Sequence, residues 1–191
     1  MPPLSGSRLR DFLDSQADST DLRAALHWIQ NEFGPLPPSS PERVLRAMAA
    51  LRTGSLPDEV AKYIDWKDFE GFVAAFIGAA GFEVRQNLVL TRPRVQVDIL
   101  ARSGSVCLLV DCKHWARPMG PSGLAQAVSA QTRRALVVRG KMSDLEPLVV
   151  VILLLNDEPT RFIEGAAVVP IHALRDFLLN LQAYAGKLEV Y

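Results

Sequence analysis

Cysteine and histidine are scarce in this chain of 191 residues, which has two of the first and three of the second. So few thiols and imidazoles, and so scattered, exclude a structural zinc site. Cys107 and Cys112 lie at an odd spacing within one strand-like stretch, which points them to opposite faces, so no disulfide between them is expected. That suits a reducing compartment. Long apolar runs are also missing: the longest, 148–155, is far short of a membrane span. The N-terminal stretch MPPLSGSRLRDFLDSQ has no apolar core, so no secretion signal is expected there. Net charge is absent as well, with 21 basic against 21 acidic side chains, so the whole-chain balance names no partner. These absences lead to the expectation of a soluble, cytoplasmic protein with no membrane partner.

What is there is a chain with 49% hydrophobic residues, long enough for one good core and an appendage. Its charge balance also hides a segregation. Residues 1–84 carry 8 basic and 12 acidic side chains, and residues 142–191 carry 3 and 7. Residues 85–141 between them carry 10 basic side chains and only 2 acidic ones, Asp98 and Asp111. Basic stretches are often solvated faces, but isolated carboxylates in basic surroundings also suit a metal-using enzyme that acts on a polyanion.

Patterning divides the chain. Leu9, Phe12 and Leu13 form a short helical stripe, and Leu22, Ala25, Leu26 and Ile29 form another. GPLPPSSP at 34–41 reads as a loop, with Pro41 placed for the first turn of a helix that runs to Leu51. Residues 1–55 are expected to be a small helical extension and residues 56–191 the main domain. In that domain Trp66, Phe69, Val73, Phe76, Ile77 and Ala80 repeat at helical spacing until Gly81. Strands are expected at 82–90, 95–101 and 106–114, then a helix at 124–136, a strand at 148–155, a short strand at 167–169 and a closing helix at 171–181. This order predicts an α/β fold, a mixed sheet flanked by helices on both faces.

The sharpest feature is VQVDILARSGSVCLLVDCKHW. Strand interiors disfavour Asp, and a buried charge without a partner is costly. If residues 102–105 close a hairpin with partner numbers summing to 207, Asp98 sits opposite Leu109 and Asp111 opposite Gln96. Asp98, Asp111 and Lys113 then share one face, with the two acids as diagonal neighbours roughly 7 Å apart. Two carboxylates at that separation can converge on a hard cation, which wants oxygen ligands and keeps water positions open. The backbone carbonyl of Cys112 offers a further oxygen. Such an ion polarises a phosphodiester and acidifies water, and Lys113 can orient that water or stabilise developing charge. The alternative is a structural ion-pair cluster on the sheet.

Asp98, twelve intervening residues, then Asp111-Cys112-Lys113 resembles the PD-(D/E)xK nuclease superfamily, with its restriction-endonuclease-like fold. Val97 stands where the motif's name has proline. The resemblance covers about residues 66–181: the helix in WKDFEGFVAAFIGAAGFEV, the DILA and DCK strands and the tail VVVILLL…AAVVPIHALRDFLLNL follow the order of Mrr-type restriction endonucleases and archaeal Holliday-junction resolvases. It implies a Mg2+- or Mn2+-dependent DNA endonuclease that acts as a homodimer. It also implies that Glu70, within the apolar arc of its helix, completes the metal site; the alternative is a boundary glutamate reaching solvent.

Other residues are candidates for nucleic-acid contact: Arg92, Arg94, Arg117, Gln126, Arg133, Arg134 and Lys141. The resemblance also implies that polar residues on the helix after the motif, Gln126 and Gln131, face the site; the alternative is a solvated helix surface. Trp115 shares the Lys113 face, where it could stack on a base or pack. His114 falls on the opposite face and is no candidate base. The rival functions are a non-catalytic DNA-binding module on the same fold, an RNA-processing nuclease, and a purely structural protein.

Overall fold

Asp65 opens the fourteen-residue helix Trp66–Ala79: its side chain accepts a hydrogen bond from the Asp68 N–H at 2.8 Å, satisfying one of the donors a helix start leaves unpaired. In the computed structural model the described residues are 6–14, 42–52, 54–114, 119–142, 148–155 and 159–191. They fall into two compact units, 1–81 and 82–191.

The first unit is helical: α1 (Gly6–Asp14), α2 (Glu42–Arg52), the short α3 (Pro57–Ala61) and α4 (Trp66–Ala79). The stripe Leu9 and Leu13 is buried on α1, and α1 packs on α2, which packs on α4. Arg46 is buried among these helices, donating to the Leu13 carbonyl at 3.2 Å and pairing with Glu42. On α4 the expected stripe buries Phe69, Val73 and Ile77, but Trp66 is 57% exposed. As the first residue of the helix it projects beyond the core, with the Lys67 ammonium 5.5 Å from its ring centroid. Gly81, at φ +91, ends the helix in a conformation that favours glycine. The stripe expected at Leu22–Ile29 and the loop at 34–41 lie outside the described residues.

The second unit holds the sheet. Its strands are β1 (Glu83–Thr91), β2 (Arg94–Ser103), β3 (Val106–Lys113), β4 (Leu148–Leu154), β5 (Arg161–Ile163) and β6 (Ala166–Pro170). Among the described residues they form one six-stranded sheet in the order β1-β2-β3-β4-β6-β5. β1, β2 and β3 are antiparallel neighbours, while β3, β4 and β6 run parallel, so the sheet is mixed as the pattern predicted. Both faces of the parallel part are buried, which explains the unbroken apolar run in β4. The three-residue edge strand β5 was not anticipated, being too short to show a period.

Helix α5 (Pro121–Lys141) is longer than the predicted 124–136 because Pro121 sits in its first turn, where a missing N–H costs nothing. It lies across β2, β3 and β4. Leu124, Val128, Ala135 and Val138 join Leu100, Cys107, Leu109, Val150, Ile152, Ala166 and Val168 in one buried cluster. The closing helix is α6 (Leu174–Leu179), which buries Leu174, Phe177 and Leu178. No disulfide joins Cys107 and Cys112. No described helix is long and apolar enough to cross a membrane.

Candidate active site

The β2–β3 hairpin sets the site, and its register differs from the one expected. Ser103 pairs with Val106, Leu100 with Leu109 and Ile99 with Val110, so partners sum to 209 rather than 207. The cause is the turn: the two loop residues are Gly104 and Ser105, and Gly104 has φ +58 at the first loop position, where a two-residue hairpin turn needs a positive φ. In this register Asp98 would face Asp111 directly, not diagonally. The ladder stops one step earlier, at Ile99–Val110. Like charges at directly opposed positions repel, and the strands part there. The Asp98 carboxylate takes up the slack, its Oδ2 accepting the Cys112 N–H at 2.9 Å.

Beyond that point, among the described residues, β2 is paired only with β1. The β1–β2 ladder runs from Glu83–Arg102 to Thr91–Arg94 in a single register, yet Asn87 and Asp98, which would oppose each other, form no pair. Asn87 has φ +52, a conformation that asparagine tolerates better than most residues. Past it, Leu88, Leu90, Val95 and Val97 pack on the same cluster as Leu100 and Leu109, although strict alternation would put Val97 and Leu100 on opposite faces. The outer half of the β1–β2 ribbon therefore curls onto the α5 side, and Asp98 stands at the bend. Sequence reasoning missed Asn87; an asparagine breaking a strand pattern was the available signal.

Asp111 is buried, with a side chain only 5% exposed. Its Oδ1 accepts from Arg134 on α5 at 3.0 Å, and its Oδ2 lies 2.7 Å from the Lys113 ammonium. That second contact is an ion pair without hydrogen-bond alignment, so among the described residues Oδ2 is a buried acceptor with no directed donor. Arg134 also donates to the Gln131 Oε1 at 2.9 Å, and Gln131, fully buried, donates to the Leu109 carbonyl at 3.3 Å. The α5 helix thus anchors Arg134 over the end of β3. Desolvation raises the Asp98 carboxyl above its ordinary value; the Asp111 charge adds to the rise, while the Cys112 N–H, Lys113 and Arg134 oppose it. Isolated burial of such carboxylates would cost several kcal/mol each, and two cations against two acids offset it.

The structure brings together Asp98, Asp111, Cys112, Lys113, Gln131 and Arg134. Arg134 is an ion-pair partner of Asp111, which sequence spacing alone did not reveal. Gln126 and Arg133 lie elsewhere on α5, lining a shallow groove with Ser129 and Glu164 that contains none of the motif residues. Arg92 and Arg94 are exposed at the tip of the β1–β2 ribbon, and Lys141 is exposed at the end of α5. Glu70 is half-buried on α4 beside the buried Phe69. His114 is half-buried just past β3; Trp115 and Arg117 lie outside the described residues. Among the described residues no group of three or more His, Cys, Asp or Glu side chains comes together.

Residues 61–139 match the restriction endonuclease family model Mrr_cat. That stretch, about two fifths of the chain, is similar to a restriction endonuclease domain. The match takes in α4, β1–β3 and almost all of α5, and with them every residue of the Asp98–Asp111–Lys113 cluster. An uncharacterized protein of Archaeoglobus fulgidus is 26% identical over 124 residues, covering 64% of this chain and 95% of that protein. No solved structure matches. The match points to a nuclease family, one whose members generally use divalent metals.

Proposed function

We propose that the restriction endonuclease domain hydrolyses DNA phosphodiesters with a divalent ion, magnesium or manganese, held between Asp98 and Asp111. The observation that carries this reading is the open end of the β2–β3 ladder, where Asp98 accepts from the Cys112 N–H, next in the chain to Asp111. Each carboxylate has one oxygen engaged, Asp98 Oδ2 by the Cys112 N–H and Asp111 Oδ1 by Arg134. Asp111 Oδ2 is buried and lacks a directed donor, the donor-atom type and state a hard cation wants. In an extended strand a residue's N–H and C=O leave on the same edge. The Cys112 carbonyl therefore also faces the gap into which its N–H points, which supports it as a third oxygen ligand.

An ion bound there would supply Lewis acidity to the phosphodiester and a more acidic water. The chain's own residues do the rest. Arg134 fixes Asp111 so that its second oxygen stays turned to the gap, and Gln131 fixes Arg134. Lys113, which neutralises Asp111 when no ion is present, is placed to turn its ammonium to the phosphate as charge builds in the transition state. Two carboxylates against two cations leave the cluster without net charge, so an added dication makes it positive, as an anionic substrate requires. Glu70 has a part in the same chemistry by family resemblance, and Glu70→Gln tests it. Cutting both strands of a duplex needs two such sites, and we assign them to a homodimer.

The test is cleavage of supercoiled plasmid and of a four-way junction with magnesium, manganese or chelator, by the protein and by Asp111→Asn. Metal-dependent cutting is expected, lost in the variant by about 10²–10³-fold or more while DNA binding persists. Cutting that survives in chelator, or in Asp111→Asn at the native rate, overturns the reading.

A further inference from the structure

The outer half of the β1–β2 ribbon, residues 87–98, extends beyond the end of the β2–β3 ladder and, among the described residues, is paired only with itself. One side of it is apolar and packs on the core through Leu88, Leu90, Val95 and Val97. The other side is exposed and carries Asn87, Thr91, Arg92, Arg94 and Gln96, with Thr91 opposite Arg94 and Gln96 opposite Val89. Apart from Asp98 at its base, this arm contains no acidic residue. We propose that the arm is a groove-reading element for duplex DNA, the part of this domain that chooses where it cuts. The proposal rests on the nuclease reading for its purpose, though the binding it describes can be tested apart from cleavage.

Three observations meet in the arm. A two-stranded ribbon fits the major groove, which is about 12 Å wide, and five residues of strand from Asn87 to Thr91 reach about 15 Å. Arginine, asparagine and glutamine are the side chains whose paired donors and acceptors match guanine and adenine edges, and arginine also takes phosphates. The arm begins at the bend that places Asp98, so whatever docks along it is led to the carboxylates. The duplex is favoured over single-stranded RNA because the exposed side of the arm has no aromatic residue on which unpaired bases could stack.

The experiment measures binding of a 30-base-pair random-sequence duplex, in chelator to prevent cutting, across a range of salt concentrations. The native chain is compared with Arg92→Ala/Arg94→Ala, Arg92→Lys/Arg94→Lys and Gln96→Ala. The double alanine variant should weaken binding and lower the slope of log affinity against log salt by about 1.8, two phosphate contacts at about 0.9 each. The lysine pair should restore the slope, because charge is kept. Gln96→Ala should leave the slope alone but flatten the preference recovered by selection from a randomised duplex pool. An unchanged slope in the double alanine variant overturns the proposal, as does a loss seen only with single-stranded RNA. If the native chain never cuts but its duplex binding depends on the arm, the nuclease reading falls and the arm assignment stands. If it cuts and the arm variants bind as the native chain does, only the arm assignment falls.

Discussion

Two clusters of paired charge, one in each unit, are built inside out with respect to each other. In the helical unit the buried partner is a cation: the Arg46 side chain is 7% exposed while its partner Glu42 is 60% exposed. A backbone carbonyl, that of Leu13, takes part of its donor capacity. In the sheet unit the buried partner is the acid: the Asp111 side chain is 5% exposed, with Lys113 at 23% and Arg134 at 35%. A buried guanidinium, always charged and tied to backbone, holds helices in place. A buried carboxylate with an ammonium nearer solvent is different, since the cation beside it can leave and another can take its place. The first arrangement is a brace; the second, on the function proposed above, is a socket that exchanges Lys113 for a metal ion.

The comparison can be broken most directly at Lys113. Lys113→Ala should lower single-turnover cleavage by about 10²-fold or more while metal affinity is kept or raised, because the competing cation has gone. Calorimetry showing that the ion no longer binds would mean that Lys113 holds the site together and does not serve the reaction. Arg46→Ala should do the reverse. Loss of hydrogen bonds from a buried charged group costs about 2 kcal/mol, which for a chain of this size lowers Tm by about 4–8 °C. Cleavage at temperatures where the variant is folded should stay at the native rate, and a specific loss of cleavage would end the contrast.

The smallest effect concerns Asp98. Burial raises its carboxyl pKa above the ordinary 3.8, so the folded chain holds the proton more tightly than the unfolded one. Stability from this group is therefore present in acid and is lost as pH rises through 3.8 and the raised folded value. Asp98→Asn keeps an acceptor for the Cys112 N–H and removes the charge. In chelator it should melt higher than the native chain at neutral pH, with the difference closing below about pH 4. A difference that is constant with pH, or of opposite sign, would show that burial of the carboxylate is not what the fold resists.

The sequence carried the order of elements because each long element repeats its period several times: α4 through Phe69, Val73 and Ile77, β4 through an unbroken apolar run. It also carried which residues of the paired strands share a face, since a change of 2 in the partner sum, from 207 to 209, leaves face assignment intact as far as the last pair, Ile99–Val110. The register that would set the two acids opposite each other was not legible. It depends on which of two adjacent small residues starts the turn, and only the backbone of Gly104 decides that. Arg134 was legible as a basic residue and illegible as a partner, since its bond to Asp111 spans 23 positions of chain and depends on how α5 lies across the sheet. Gln131 was noticed for its polarity; its complete burial under the sheet follows from the same placement.

The bend at Asn87 has one more consequence, for self-association. β1 is an outer strand of nine residues, and a straight outer strand of that length offers unpaired backbone to any similar strand of another molecule. The left-handed residue at its centre divides that edge into two stretches, 83–86 and 88–91, that do not run straight into each other. Each is shorter than the six or seven residues that cross-β stacking typically recruits. The interruption that positions Asp98 also makes β1 a poor template for aggregation.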